Sequence, residues 1–286
     1  MPIPFMEAEI FPGIFSNEYS AEDLECILLN RDGKHAVLAL DLDGTIHRGI
    51  LPRSFYESTN ADLAFSLTPV VAKHSLRAFF EYALTGISLT SKIVGYHLGI
   101  TEGNAEQLVK EMISEFSEKI LTGLSYYEFL QTARFITRFA YPNSLECVTK
   151  LSAHYDKTMV ISTSFQPVLK AYSEKLEKMA DKNLRIETYG TKLLVRSDEI
   201  LGLYAGILDS EEKARFLAQN VSGLERCVIF GNSENDIQMF NAGSKILGIN
   251  CVRISINRSP KNLVQLSDVY IKNWDALKKF LSNPSK

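Results

Sequence analysis

An unbroken apolar run, Ala36-Val37-Leu38-Ala39-Leu40, ends in two carboxylates flanking one leucine, Asp41-Leu42-Asp43, and Gly44-Thr45 follows at once. A run of this kind, bounded by turn residues, predicts a strand buried on both faces, as in a parallel sheet. The carboxylates then stand at its carboxyl end, the rim at which open α/β sheets bind ligands. Gly44 allows the backbone to turn, so that Asp41 points across the rim while Asp43 turns back toward the same space. Two like charges this close need a cation or a shared proton, and hard oxygen ligands suit Mg²⁺. The plainer alternative is a strand-ending turn, since Asp and Gly both favour turns.

At 286 residues the chain has room for one large domain, or for a core domain with a smaller one. Its formal net charge of −3 and unpatterned charges give no electrostatic reason to expect nucleic acid or an anionic membrane surface as partner. Cys26, Cys147, Cys227 and Cys251 are scattered without a Cys-x-x-Cys pair, which points to reduced structural thiols in a cytoplasmic protein. The first residues lack the basic start and apolar centre of an export signal. The most hydrophobic stretches, near 63–71 and 79–99, are interrupted by charges, so no integral membrane segment is expected.

A capped helix is expected from Ser20 to about Leu29, before the first core strand. After Thr45 the pattern turns helical for nearly the whole stretch to 141, with helices expected near 69–84, 89–98, 104–120 and 125–139. In the third, Leu108, Met112, Ile113, Phe116 and Ile120 form one apolar stripe. The division expected is 1–55 for the N-terminal helix and first core strand, 56–141 for a helical cap, and 142–286 for the rest of the core. Phe79, Phe80, Tyr82, Tyr126, Tyr127 and Phe129 read as the core of the inserted part rather than as a ligand box.

Beyond a helix at 142–154, Lys157-Thr158-Met159-Val160-Ile161 reads as a second buried strand ending at Ser162-Thr163-Ser164, with Pro167 opening a helix. These hydroxyls either cradle phosphate beside free backbone N–H groups or simply cap the helix. Strands are expected at 184–188, then a hairpin of 191–195 and 202–208. Ser210 reads as the cap of a helix at 211–220 that carries Lys213 near its start, where an anion or a carboxylate would offset the unfavourable dipole. Arg226-Cys227-Val228-Ile229-Phe230 is a further strand, running into Gly231-Asn232-Ser233-Glu234-Asn235-Asp236, whose oxygens reach toward the same cation as Asp41 or merely make a turn. Strands at 245–248 and 269–271 and a helix at 274–281 close the sheet; no chemistry is read in them.

Together these features resemble the haloacid dehalogenase superfamily, in its phosphoserine-phosphatase-like branch. Asp41-Leu42-Asp43-Gly44-Thr45 resembles the nucleophile motif, Ser162 the strand-ending Ser/Thr, Lys213 the motif lysine and Gly231 to Asp236 the acidic metal loop. Tyr189-Gly190-Thr191 with Gly202 to Gly206 is similar to a hairpin of that branch. The resemblance implies an α/β fold: a Rossmann-like core with a mostly parallel central sheet and an all-helical cap inserted after the first core strand. It implies a Mg²⁺-dependent phosphatase in which Asp41 forms an aspartyl-phosphate, Asp43 is general acid and base, and Ser162, Thr163 and Lys213 hold the phosphoryl group. Asp41, Asp43, Asn232 and Asp236 are the implied metal site, with the Asp43 backbone carbonyl as its contribution.

One departure stands out: the family more often has Asp where this chain has Asn232, which removes a negative charge and predicts weaker Mg²⁺ binding or a shifted metal preference, and not by itself loss of activity. Residues just after the nucleophile motif select substrate in the family, which nominates His47, Arg48 and Arg53; solvated loop residues are the alternative. The expected partner is a small phosphorylated metabolite; the sequence sets neither its identity nor the oligomeric state. A phosphotransferase with the same intermediate, and a non-catalytic phosphate-binding protein on this fold, are the competing functions.

Overall fold

The structure is a computed structural model and describes residues 8–50, 58–74, 105–180, 184–206 and 209–283. The expected strand Ala36–Leu40 is present as β3, following β1 (Glu9–Phe11), β2 (Ile14–Ser16) and α1 (Ala21–Leu28), and every residue of β3 is buried. Its side chains alternate between two cores. Ala36, Leu38 and Leu40 face the larger, and Val37 and Ala39 the smaller, as a strand covered by helices on both faces requires.

The remaining strands are β4 (Lys157–Phe165), β5 (Ile186–Arg196), β6 (Glu199–Ala205), β7 (Arg226–Gly231), β8 (Cys251–Ile256) and β9 (Val269–Ile271). They join one nine-stranded sheet in the order β1-β2-β9-β8-β7-β3-β4-β5-β6. β3 pairs in parallel with β4 on one side and β7 on the other, so strand order reverses about β3. The carboxyl ends of β3, β4 and β7 therefore share one rim at a topological switch point. The parallel pairs extend to β5, β8 and β9, and β1, β2 and β6 add antiparallel edges.

Between β3 and β4 the described residues hold helices and no named strand: α2 (Thr59–His74), α3 (Ala105–Phe116), α4 (Tyr126–Ile136) and α5 (Ser144–Ser152), with a wide helical turn at Ser117–Leu121. Leu63, Leu67, Phe116, Ile120 and Phe129 belong to the same apolar cluster as β3 and β4, so among the described residues these helices pack onto the core of the sheet. Phe129 sets its ring edge-on to Phe165 at the end of β4, 6.0 Å between centroids. Tyr127 is 62% exposed and takes no part in that packing.

The β5–β6 turn adds a second tie. Ser197 and Asp198 both have positive φ, which tightens the hairpin, and Asp198 Oδ1 accepts from the Tyr127 backbone N–H at 2.9 Å. An acid at the start of α4 also suits its dipole.

The structure corrects several expectations. β4 runs on through Ser162, Thr163 and Ser164 to Phe165, and α6 (Gln166–Met179) begins directly after it. The strands expected at 184–188 and 191–195 are one strand, because Gly190 continues β5 instead of breaking it. Residues 245–247 end α8 (Ile237–Leu247), whose Met239, Phe240 and Gly243 face the sheet at helical spacing. The strand lies at Cys251–Ile256 instead, where all but one side chain is buried. Asp209, not Ser210, caps α7 (Ser210–Val221), accepting from the Glu212 N–H at 2.8 Å. The helix expected to open near Pro69 opens at Thr59, with Pro69 inside it. The short β1–β2 hairpin, without a period to announce it, was not expected.

The expected helix at 89–98, the later part of that at 69–84, Arg53, Phe79, Phe80, Tyr82 and residues 207–208 lie outside the described residues. α9 (Lys261–Leu266) and α10 (Trp274–Ser282) complete the described chain, in which no helix is long and apolar enough to cross a membrane. The four cysteines are free thiols, as expected.

Gly190 sits where β5 passes β4, and a Cβ there would fall 2.5 Å from the Ser164 carbonyl oxygen. Gly190→Ala should therefore lower stability by about 1–3 kcal/mol, the usual penalty for overpacking, measured by urea unfolding.

Candidate active site

Asp41 leaves β3 with its backbone N–H still on the ladder, donating to Phe230 O at 3.0 Å. The chain then reverses. Leu42 O accepts from the N–H groups of Ile46 and His47, each at 2.9 Å, and Gly44, at φ +73°, donates to His47 O at 2.8 Å. A left-handed residue is required here, which is why glycine serves.

The outward carbonyls of this loop are claimed from the far end of the chain. Asn257 Nδ2 donates to Gly44 O and Thr45 O at 2.9 and 3.1 Å, and the indole N–H of Trp274 donates to Thr45 O at 2.7 Å. The closing segment, in which the sequence showed no chemistry, thus fixes the loop on which Asp41 and Asp43 stand.

His47 is fully buried, its ring nitrogens 2.6 Å from Tyr172 Oη and 2.8 Å from Asp62 Oδ2. Asp62 also accepts from the Ile50 N–H at 2.9 Å. His47 therefore ties the loop to α2 and α6, and is not a residue facing substrate. Arg48 is exposed.

On α7, Lys213 is buried and resolves the electrostatic anomaly seen in the sequence: its Nζ lies 2.7 Å from Asp41 Oδ1 and 2.5 Å from Asp236 Oδ1. Asp236 Oδ2 accepts from Asn232 N, Ser233 N and Ser233 Oγ, each at 3.0 Å. Gly231 makes this fold-back possible, since a Cβ there would sit 2.6 Å from that of Asp236.

Thr45 Oγ1 lies 3.4 Å from Asp41 Oδ2 and 3.2 Å from Asn232 Oδ1. This hydroxyl, the last residue of the motif read in the sequence, places the Asn232 amide oxygen beside Asp41.

Burial pushes Asp41 up to about 8, with the charges of Asp236 and Asp43 adding to the rise and Lys213 opposing it. For Lys213, burial disfavours the charge, but the carboxylates of Asp236 and Asp41 outweigh it and hold the ammonium above its ordinary range. Two carboxylates thus share one cation in a dry setting, and the cost of the uncompensated negative charge falls on Asp41.

Asp43 faces another way. Its Oδ1 accepts from the Thr59 N–H at 2.5 Å, and its Oδ2 from Ser162 Oγ and Ser164 Oγ at 3.0 and 2.5 Å. Alternation along β4 brings Ser162 and Ser164 to Asp43 and leaves Thr163 between them on the other side. Thr163 is half-buried, its carbonyl accepting from Thr191 Oγ1 at 3.0 Å, and it does not join the expected phosphate-binding set. Thr59 is the residue that sequence reasoning missed, and Ser164, read there as a hydroxyl that cradles phosphate or caps the helix, holds Asp43 instead.

The oxygen set fits a hard divalent cation in charge and type. Among the described residues no three His, Cys, Asp or Glu side chains are grouped for a metal. Asp41, with the Asn232 amide oxygen and a backbone carbonyl, provides the carboxylate and neutral oxygens that Mg²⁺ takes together with water; Asp236, expected in this set, has both oxygens engaged by Lys213, the Asn232 N–H and Ser233, and anchors the lysine instead. The Asp43 carboxylate, engaged by Thr59, Ser162 and Ser164, is not in that set; the backbone carbonyl of Asp43 was the expected donor.

A family model described as haloacid dehalogenase-like hydrolase matches residues 38–241. The chain belongs to that family. Its fold is shared with a cytosolic 5'-nucleotidase IIIB bound to cytidine, at TM-score 0.65 and 15% identity over 98% of this chain and 95% of that one. It is also shared with a substrate-bound phosphoserine phosphatase, at TM-score 0.55 and 17% identity over 86% and 96%. A probable phosphoserine phosphatase from Vibrio cholerae aligns at TM-score 0.54 and 16% identity over 86% and 64%. No curated protein sequence matches the chain.

Lys213→Met should destabilise the protein by about 3–5 kcal/mol at neutral pH, because it strands two buried carboxylates. Adding Asp236→Asn should recover part of the loss in denaturant unfolding, since the amide oxygen can keep the three donors now on Oδ2.

Proposed function

We propose that the protein is a phosphomonoesterase that works through an aspartyl-phosphate on Asp41. The observation that carries this reading is the convergence of Asp41 and Asp236 on the buried ammonium of Lys213 at the rim beside Asn232. A carboxylate placed at the end of β3, with a cation beside it and one oxygen still only weakly engaged, is equipped to attack phosphorus.

In the first half-reaction an Asp41 carboxylate oxygen bonds to phosphorus as the ester P–O bond breaks, and Asp43 gives its proton to the leaving oxygen. In the second, Asp43 takes a proton from water as the water oxygen bonds to phosphorus and the bond to Asp41 breaks, releasing phosphate. Lys213 and Ser162 neutralise and position the phosphoryl oxygens. Asp41, the Asn232 amide oxygen and the Asp43 carbonyl would hold Mg²⁺, which would supply further charge compensation for the phosphoryl group. Residues 56–141 act as a helical cap over the core formed by 1–55 and 142–286. The substrate is a small phosphorylated metabolite.

Phosphate release from a panel that includes phosphoserine and nucleoside monophosphates, with Mg²⁺ and with chelator, tests this reading. Mg²⁺-dependent release by the wild type and its absence in Asp41→Asn is the expected outcome. Release that persists undiminished in Asp41→Asn would remove Asp41 as the nucleophile.

Asn232→Asp restores a negative charge next to Asp41 and should lower the Mg²⁺ concentration for half-maximal activity by about threefold or more, a change of under about 1 kcal/mol in binding being threefold. Superimposable Mg²⁺ titrations would take residue 232 out of the metal site.

A further inference from the structure

The surroundings of Asp43 distinguish its two oxygens. Oδ1 faces the backbone N–H of Thr59, the first residue of α2, whereas Oδ2 faces two hydroxyls, those of Ser162 and Ser164. The Ser164 hydroxyl is hydrogen-bonded in turn to Thr59 Oγ1, and both residues are fully buried. A backbone N–H only donates, so the lone pair of Oδ1 that meets it carries no proton. A hydroxyl donates and accepts.

The chain Asp43 Oδ2, Ser164 Oγ, Thr59 Oγ1 can therefore run in either sense. With Asp43 ionised, Ser164 donates to Oδ2 and accepts from Thr59. With Oδ2 protonated, Oδ2 donates to Ser164, which donates to Thr59. Neither state requires a heavy atom to move.

We propose that Ser164 and Thr59 are positioning residues for Asp43: a reversible hydroxyl chain that makes Oδ2 the proton-carrying oxygen and holds it in both protonation states. This rests on the reading of Asp43 as general acid and base. Ser162 shows why a second holder is needed. Its hydroxyl lies on Oδ2, yet it is also the residue assigned to the phosphoryl group, and one hydroxyl proton cannot serve both at once. When Ser162 turns to the phosphoryl oxygen, Ser164 and the Thr59 N–H keep the carboxyl group in place. The proton on Oδ2 then passes to the leaving oxygen, which keeps the electron pair of the broken P–O bond. The carboxylate so formed accepts again from Ser164 until it takes a proton from the attacking water.

The test is dependence on the leaving group. An alkyl phosphomonoester needs its leaving oxygen protonated, whereas p-nitrophenyl phosphate does not. Ser164→Ala and Thr59→Val, which keeps the N–H and the shape, should each lower kcat/KM, which stops at departure of the leaving group, about tenfold for the alkyl ester, a part of the roughly 10²–10⁴-fold that a positioned acid contributes, and less than about threefold for the nitrophenyl ester. Thr59→Ser should restore the alkyl-ester rate. Each variant is judged by the ratio of its own two rates, which is independent of how much of it folds.

Equal losses on both esters, or none on either, would overturn the proposal. Asp43→Asn, measured alongside, separates this failure from that of the underlying reading. A selective alkyl-ester loss in Asp43→Asn alone rejects the hydroxyl chain and leaves Asp43 as the acid. No selectivity in Asp43→Asn, or no turnover of either ester by the unaltered protein, rejects the acid–base reading and this proposal with it.

Discussion

Three charged side chains, Asp41, Asp236 and Lys213, are buried in contact at the point where strand order reverses, and the rest of the rim is arranged around that fact. Removing such groups from water costs several kcal/mol apiece unless hydrogen bonds replace the lost hydration. The replacement is unequal. Asp236 has a donor on every side: Lys213 on one oxygen, two backbone N–H groups and the Ser233 hydroxyl on the other. Asp41 has Lys213 on Oδ1 and only the distant Thr45 hydroxyl on Oδ2. The saturated carboxylate is an anchor. The under-satisfied one retains the lone pairs that a phosphorus atom or a cation can use.

The second aspartate of the motif lives under different physics, although only one residue separates the two. The turn at Gly44 gives Asp41 to the buried cation and Asp43 to a partly open pocket of hydroxyls and one amide. Environments that differ this much divide chemical labour between two identical side chains. The division survives only if the turn is rigid, and that rigidity comes from Asn257 and Trp274, whose donors hold the Gly44 and Thr45 carbonyls from beyond β8 and β9.

What could be read in advance follows from this. β3, the carboxylates at its end and the polar loop after β7 announce themselves locally, by an apolar run meeting turn residues. Lys213 was legible as an electrostatic oddity at a helix start, and its two partners explain it. Asn257, Trp274 and Thr59 carry no such mark, because each acts through hydrogen bonds to residues remote in sequence. The misplaced strand at 245–248 has a simpler cause: a short apolar segment has no period of its own, and the helix ending there had already claimed it. Ser162 to Ser164, turn-like by composition, lie instead within β4, at an irregularity between the paired residues Ile161 and Phe165.

The helices between β3 and β4 are bound to this rim by the same contacts that build the site. Thr59 opens α2 on Asp43, Asp62 one turn later holds His47, and Phe129 of α4 packs on Phe165 at the end of the strand that delivers Ser162 and Ser164. Among the described residues, their apolar side chains continue the core of the sheet. Moving these helices would thus cost buried area and loosen Asp43 and the loop that carries Asp41 together. The placement of the helices and the orientation of the acid are one packing problem, solved by a small set of residues at the carboxyl ends of β3 and β4.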